Sequence, residues 1–356
     1  FEASSLLNFF LNLQETPRER HAVPLADFLK KLTDDPHLQA VLSVHALLYG
    51  VSPDEVAFTQ HAYVSASYFD SAHNFSGGGL ALVKAMEQRL EELGVIVITG
   101  KAVKHLVCAE KKRLTALELD DGALLETDAA ISTCHPAALA EMGQDVFRPS
   151  YLEHLRSLEE TASAFMLFGI AEKKPECLEG RNLFLCRDPN LNRAFIPGAN
   201  PEDGPFFVAA SPQPDSTAGR SGVVVLAPGF FADMSPWADS TRGSRPQSYK
   251  IFKDTILQRI NKAIVDLCPE LETVHFVEVA TPLTMRDFLH APAGGLYGCK
   301  HTVHQSNPLP LTRIPNLLLA GQSIIAPGLM GAMISAFLAC GFLLGHDSLH
   351  KEAACS

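Results

Sequence analysis

One segment near the C-terminus, residues 314–344, constrains the possible fold of this chain more than any other. It reads as a short apolar strand over residues 317–320 that stops at Gly321, followed by a loop and by a helix that begins near Gly328. A strand that leads through glycines into a helix N-terminus presents backbone N–H groups and the positive end of the helix dipole to a ligand. The helix is apolar on all sides, which predicts burial in a large protein or a membrane. The segment therefore predicts a cofactor held against a domain core.

The same segment resembles a known family. Its pattern N-L-x-L-A-G-Q, followed by P-G-L-M-G-A-x-x-S-A, is similar to the C-terminal flavin-binding segment of FAD-dependent oxidoreductases of the phytoene desaturase, carotenoid isomerase and retinol saturase type. It resembles the amine oxidases more distantly. The likeness extends upstream through residues 281–288, 294–298 and 310–315, and nearly the whole chain falls within it.

The resemblance implies a mixed α/β fold: an incomplete FAD-binding dinucleotide fold with an inserted substrate-binding domain of mixed sheet and helices. In this family the FAD pyrophosphate lies on an N-terminal βαβ unit that carries G-x-G-x-x-G. No such pattern occurs here, and the glycines of residues 77–79 come closest. We therefore expect the chain to be the C-terminal portion of a flavoenzyme, a portion that alone binds little FAD and is inactive.

Four segments are predicted: substrate-domain helices over residues 1–75, part of the FAD-binding domain over 76–138, the substrate-binding domain over 139–290, and the C-terminal part of the FAD-binding domain over 291–356. Within them, apolar spacing predicts a helix over residues 80–93 and a buried strand over residues 95–98. Alternation and turn residues predict a β-meander over residues 102–127 and a further strand over residues 129–132.

Composition narrows the function classes. The net charge of −11 argues against a nucleic-acid partner, because phosphate binding needs clustered Lys and Arg. Eight cysteines are scattered with no C-x-x-C pair, which favours reduced thiols in a cytoplasmic protein over a disulfide framework. The uncharged residues 324–345 are long enough to span a bilayer, but Pro327 and the glycines favour a buried helix instead.

The resemblance assigns the cofactor-binding residues. The N–H groups of Gly328, Leu329, Met330 and Gly331 would face the flavin ring, where a helix N-terminus stabilises the negative charge that reduction brings. A structural tight turn before a core helix is the alternative. Gly321 and Gln322 would lie along the ribityl chain or pyrophosphate, where glycine permits close approach. On the adenine side the candidates are Gly78, Val103 and Cys134, each with a purely structural alternative.

One residue is a candidate for catalysis. Tyr297, in the glycine-dense residues 294–298, could face the flavin or an apolar substrate and donate a proton. The spacing of Cys299, His301 and His304 resembles a ligand set, but no fourth ligand is evident and no metal is predicted. Arg286 and Asp287 could form a structural ion pair.

These patterns lead to one principal hypothesis and two rivals. The resemblance implies an oxidoreductase whose FAD exchanges a hydride at a C–C or C=C bond of an apolar, isoprenoid or polyene substrate, by desaturation, saturation or isomerisation; the electron partner stays open. A non-catalytic binding protein for a prenylated or lipidic partner on the same scaffold is the first rival, because fold does not fix function. The second is a protein whose apolar C-terminal helix makes peripheral contact with a membrane.

Overall fold

The computed structural model describes residues 23–109, 113–211 and 219–355. The described residues form ten α-helices: α1 Leu25–Lys30, α2 Pro36–Ser43, α3 Phe58–Asp70, α4 Gly78–Glu92, α5 Pro136–Met142, α6 Pro149–Arg156, α7 Gln247–Leu267, α8 Pro282–Leu289, α9 Gly328–Leu344 and α10 His346–Cys355. The ten strands are β1 Val103–Ala109, β2 Arg113–Leu119, β3 Leu124–Glu126, β4 Ala130–Ser132, β5 Ser163–Ala171, β6 Leu183–Leu185, β7 Phe206–Ala210, β8 Ser221–Gly229, β9 His275–Ala280 and β10 Leu317–Leu319.

The chain divides into two compact units. The first contains Ile98–Thr161 and Tyr297–Ser356, and the second contains Pro24–Val97 and Ala162–Leu296. The division differs from the four predicted segments, since residues 76–97 lie in the second unit and residues 139–161 in the first. The assignment of those segments to FAD and substrate domains stays a prediction.

The first unit contains an antiparallel sheet of β1, β2 and β3 and a parallel pair of β4 and β10. The sheet confirms the predicted β-meander. Asn316, which is buried, joins the two: its side-chain amide donates to the carbonyls of Leu114 and Asp128, at 2.8 and 2.7 Å, and accepts from the N–H of Leu114. The hydrophobic core of this unit includes Leu106, Leu114, Leu139, Leu155, Leu317 and Leu319.

The second unit is built on a five-stranded antiparallel sheet in the order β6-β7-β8-β5-β9. Strict alternation along β8 buries every second residue, and β5 pairs with β8 along its whole length. Ile256, Ile260 and Ile264 repeat at four-residue spacing on α7 and pack into the same core. This spacing places one apolar stripe of the helix against the sheet.

The predicted buried strand over residues 95–98 is wrong. These side chains are 48 to 85% exposed, and no strand is present there. The neighbouring helix α4 confirms the helical spacing of Leu80, Val83, Met86 and Leu90, but all four side chains are exposed. Residues 95–98 form no strand because a strand needs a neighbouring strand to pair with, and no described segment pairs with them.

Two further expectations concern helices. The described part of residues 1–75 is helical, as predicted, in α1, α2 and α3, while residues 1–22 lie outside the described residues. Within the described ranges, no helix combines the length and apolarity that crossing a bilayer requires.

Candidate functional site

The parallel strands β4 and β10 end side by side. Leu319 pairs with Ser132, and the N–H of Ala320 donates to the carbonyl of Ser132 at 2.9 Å. Cys134 and Gly321 therefore follow neighbouring strand ends at one edge, which is where ligands of α/β sheets bind. Gly321 has φ +106°, a left-handed backbone conformation that favours glycine.

The helix that follows begins at Gly328, with φ +79° and open space where a side chain would stand. Pro327 precedes it, and no side chain caps its first turn. Gly331 packs so closely that a Cβ there would collide with the carbonyl oxygen of Ala326. The N-terminus of α9 is therefore fixed by a tight turn, and its first N–H groups have no side-chain acceptor among the described residues.

The expectation that α9 is buried on all sides is wrong. The buried positions are mainly small: Gly331, Ile334, Ser335, Ala339 and Gly341. Several of its large side chains are exposed, and Leu329 and Met330 are 47% and 53% exposed. The small residues let the helix backbone approach the body of the unit, while these bulky apolar residues lie on the exposed face. The exposed face begins at the predicted flavin position.

A second loop lies against the turn after β10. The N–H of Cys299 donates to the Ser323 hydroxyl at 3.1 Å, and the imidazole of His301 bonds to the carbonyl of Gln322 at 3.1 Å. Next to them, the N–H of Tyr297 donates to the Thr161 hydroxyl at 3.0 Å. The structure thus brings the segment of Tyr297 to the segment of Gln322. The proton-donating role of Tyr297 stays a prediction.

A buried polar cluster lies beside the end of β4. His135 accepts from the N–H of Ala137 through Nδ1 and thereby caps α5. Its Nε2 carries the proton and lies 3.5 Å from Glu160 Oε1 and 3.6 Å from Cys299 Sγ. Burial lowers the pKa of His135 and raises the pKa of the Cys299 thiol to about 11. The cluster is therefore a neutral imidazole and a neutral thiol next to a carboxyl group.

Sequence reasoning missed Glu160 and Ser323 in this site. No local motif marks either residue, because each becomes part of the site only through contacts with residues far away in the chain. Cys134, the residue that was predicted, is exposed. Its neighbour His135 makes the polar contacts.

The remaining predicted residues lie in separate places. Val103 is half-buried at the start of β1 in the first unit, where it pairs with Leu119. Gly78, with φ +67°, begins α4 in the second unit. Their contacts with adenine stay predictions. The ion pair between Arg286 and Asp287 is confirmed, with Nε donating to Oδ1 at 3.0 Å, and Arg245 also pairs with Asp287.

The chain is similar in sequence to a family of flavin-containing enzymes and to two curated reductases. Residues 11–176 match the family described as flavin containing amine oxidoreductase. The all-trans-retinol 13,14-reductase of Danio rerio is 25% identical over 92% of this chain and 58% of its own length, and that of Rattus norvegicus is 27% identical over 90% and 57%. The chain thus spans a little over half the length of these curated relatives.

Solved structures share the fold. An oxidoreductase from Methanosarcina mazei has a TM-score of 0.59 at 14% identity, covering 96% of this chain and 73% of its own. Wild-type putrescine oxidase bound to putrescine has a TM-score of 0.57 at 11% identity, covering 95% and 69%. These structures confirm the mixed α/β fold, and the family match over residues 11–176 supports a flavin as the cofactor.

Proposed function

We propose that the whole protein is an FAD-dependent oxidoreductase of the retinol saturase and amine-oxidase-like type, which the match of residues 11–176 to a flavin-containing family supports. Its substrate is apolar, an isoprenoid or polyene, and the reaction changes a C–C or C=C bond. Relatives named for the 13,14-reduction of all-trans-retinol support this substrate class. The observation that carries the proposal is the uncapped N-terminus of α9 beside the strand ends of β4 and β10.

The residues at this edge fit a flavin. The N–H groups of Gly328, Leu329 and Met330 have no side-chain acceptor among the described residues, and a side chain at Gly328 would meet open space. Bound FAD would supply a two-electron redox centre. The helix N-terminus would stabilise the negative charge of the reduced ring without a mobile side chain. Gly321 and Gln322 would hold the chain that links the ring to the adenine.

Apolar side chains near the helix N-terminus suit a polyene. Leu329, Met330 and Met333 are exposed on α9. Thioether and aliphatic side chains adapt to an irregular apolar ligand. In the proposal they orient the substrate and exclude water, while Tyr297 is the group that donates a proton.

The test uses protein produced from the complete gene. We expect it to carry FAD, seen as the visible absorbance of oxidised flavin that bleaches on anaerobic reduction. With reduced flavin, all-trans-retinol or a longer polyene should be consumed and a product with one double bond fewer should appear by mass spectrometry. A protein that stays colourless after FAD is added overturns the proposal in favour of a non-redox binding protein. Bound, reducible flavin without turnover of any polyene refutes the substrate class alone.

A further inference from the structure

Two thiols and a carboxylate converge in the second unit. Cys177 lies in the turn Glu176–Leu178, Cys268 follows the last residue of α7, and Glu270 lies in the turn Pro269–Thr273. One ligand atom from each of these three residues lies within 4.8 Å of the other two. In the described part of the chain, no other group of three histidines, cysteines or acidic residues is arranged in this way.

The core of the unit holds the three side chains in place. Leu178, next to Cys177, and Leu271, next to Glu270, are buried in the core beneath the sheet. Cys177 and Cys268 pack against the same core. The N–H of Cys177 donates to Glu270 Oε2 at 2.9 Å, which joins the two turns directly. The group is therefore positioned by buried neighbours and not by flexible surface segments.

These are the ligands of a zinc-class cation. Zn²⁺ binds thiolates at about 2.3 Å and carboxylates at about 2.0–2.2 Å in a tetrahedron. Ligand atoms around such an ion are then about 3.5–3.8 Å apart, within the separation seen here. We propose that Cys177, Cys268 and Glu270 bind one Zn²⁺ ion, with water in the fourth position. Glu270 is exposed, so solvent reaches the carboxylate side of the group.

A disulfide between the two cysteines is the competing outcome, but the carboxylate that lies with them is a metal ligand and plays no part in a disulfide. A divalent cation stabilises the thiolate form of both cysteines, because its charge offsets two of the three negative charges of the two thiolates and the carboxylate. Its binding releases two thiol protons to solvent.

The site does not depend on the proposed flavin chemistry. The ion would join the end of α7 to the turn that precedes β6, so its expected effect is on the stability of the second unit. The residues assigned to the flavin ring belong to the first unit. A ligand that binds only the folded state raises Tm with its concentration.

The test uses Co²⁺ as a spectroscopic probe in the reduced, metal-free protein. We expect one Co²⁺ per chain, an intense sulfur-to-metal charge-transfer band, and loss of the band when Zn²⁺ is added. Cys177→Ser and Cys268→Ser should each abolish the two-thiolate spectrum, and Glu270→Gln should weaken binding about tenfold or more. Cys186→Ser, in the same unit, is the matched control and should leave the spectrum unchanged.

A second measurement needs no variant. Zn²⁺ should protect Cys177 and Cys268, but not Cys186, from alkylation, as read by peptide mass spectrometry. A charge-transfer band that survives in Cys177→Ser/Cys268→Ser overturns the proposal, as does absence of the band in the wild-type protein. A disulfide between Cys177 and Cys268 that forms even with Zn²⁺ present also overturns it.

Discussion

The N–H of Gly321 donates a hydrogen bond of 2.7 Å to the hydroxyl of Ser335. That hydroxyl is buried inside α9 and donates in turn to the carbonyl of Ala332 at 2.7 Å. One side chain therefore connects the end of β10 to the helix whose N-terminus forms the candidate flavin site. The two segments cannot shift relative to each other without breaking this bond.

The first prediction concerns Ser335→Ala. Removing the hydroxyl leaves the N–H of Gly321 without its acceptor, which should lower the free energy of unfolding by about 1–3 kcal/mol. Urea denaturation measures this, with the exposed Ser348→Ala as the control. In protein from the complete gene, bound flavin should also fall. An unchanged unfolding midpoint would show that the bond does not hold the strand end to the helix.

The second prediction compares two glycines. Gly331→Ala should destabilise the protein by about 1–3 kcal/mol, because overpacking forces neighbouring atoms to move, and the new Cβ would meet the Ala326 carbonyl. The control is Gly79→Ala, at the start of α4, where nothing lies within 4 Å. It should be neutral or slightly stabilising. Thermal unfolding of both variants gives the comparison, and equal Tm values for the two would contradict the tight turn at Ala326.

The third prediction is a loss of stability on acidification. Burial lowers the pKa of His61 below its usual 6.5, and the ring bonds to the Leu42 carbonyl at 2.7 Å and to the Tyr49 hydroxyl at 2.8 Å. Between the folded and the unfolded pKa the unfolded chain binds more protons, so stability rises with pH in that window. Burial lowers the pKa of His135 and His301 in the same direction.

The free energy of unfolding should therefore fall as pH drops from about 7.5 to about 5.5. Denaturant titrations along this range measure the slope. His61→Gln should make the slope shallower, whereas the exposed His304→Gln should leave it unchanged. Identical slopes in all three proteins would mean that His61 does not contribute.

The fourth prediction tests the catalytic role of Tyr297 in protein from the complete gene. Tyr297→Phe should lower kcat by about 100-fold if the phenol donates a proton in the rate-limiting step. The flavin content and spectrum should stay unchanged. Tyr151→Phe, whose ring packs against Phe147 in the first unit, is the control. A change in kcat of less than about threefold would leave Tyr297 with a role in packing only.

Local patterns predicted the parts of the fold that depend on neighbours in the chain. The strand that begins at residue 317, the glycine after it and the helix from Gly328 are all present. They could be predicted because turn residues and apolar spacing are features of a few consecutive residues. The β-meander follows from alternation and from the turn at Gly122, where φ is +82°.

Contacts between distant residues could not be predicted in the same way. Asn316 bonds to Leu114, 202 positions away, and Cys177 bonds to Glu270, 93 positions away. Nothing in the local sequence of Glu160 points to His135. Residues 95–98 were predicted to be buried because they are apolar, and they are exposed. Burial requires a partner surface, which a local sequence pattern does not specify.

The outward stripe of Leu80, Val83, Met86 and Leu90 on α4 has a practical consequence at the bench. A purified sample of this chain should bind phenyl resin and form soluble oligomers as it is concentrated. Ammonium sulfate should precipitate it early, since such salts are excluded from protein surfaces and strengthen apolar association. Mild detergent should dissociate these oligomers into monomers.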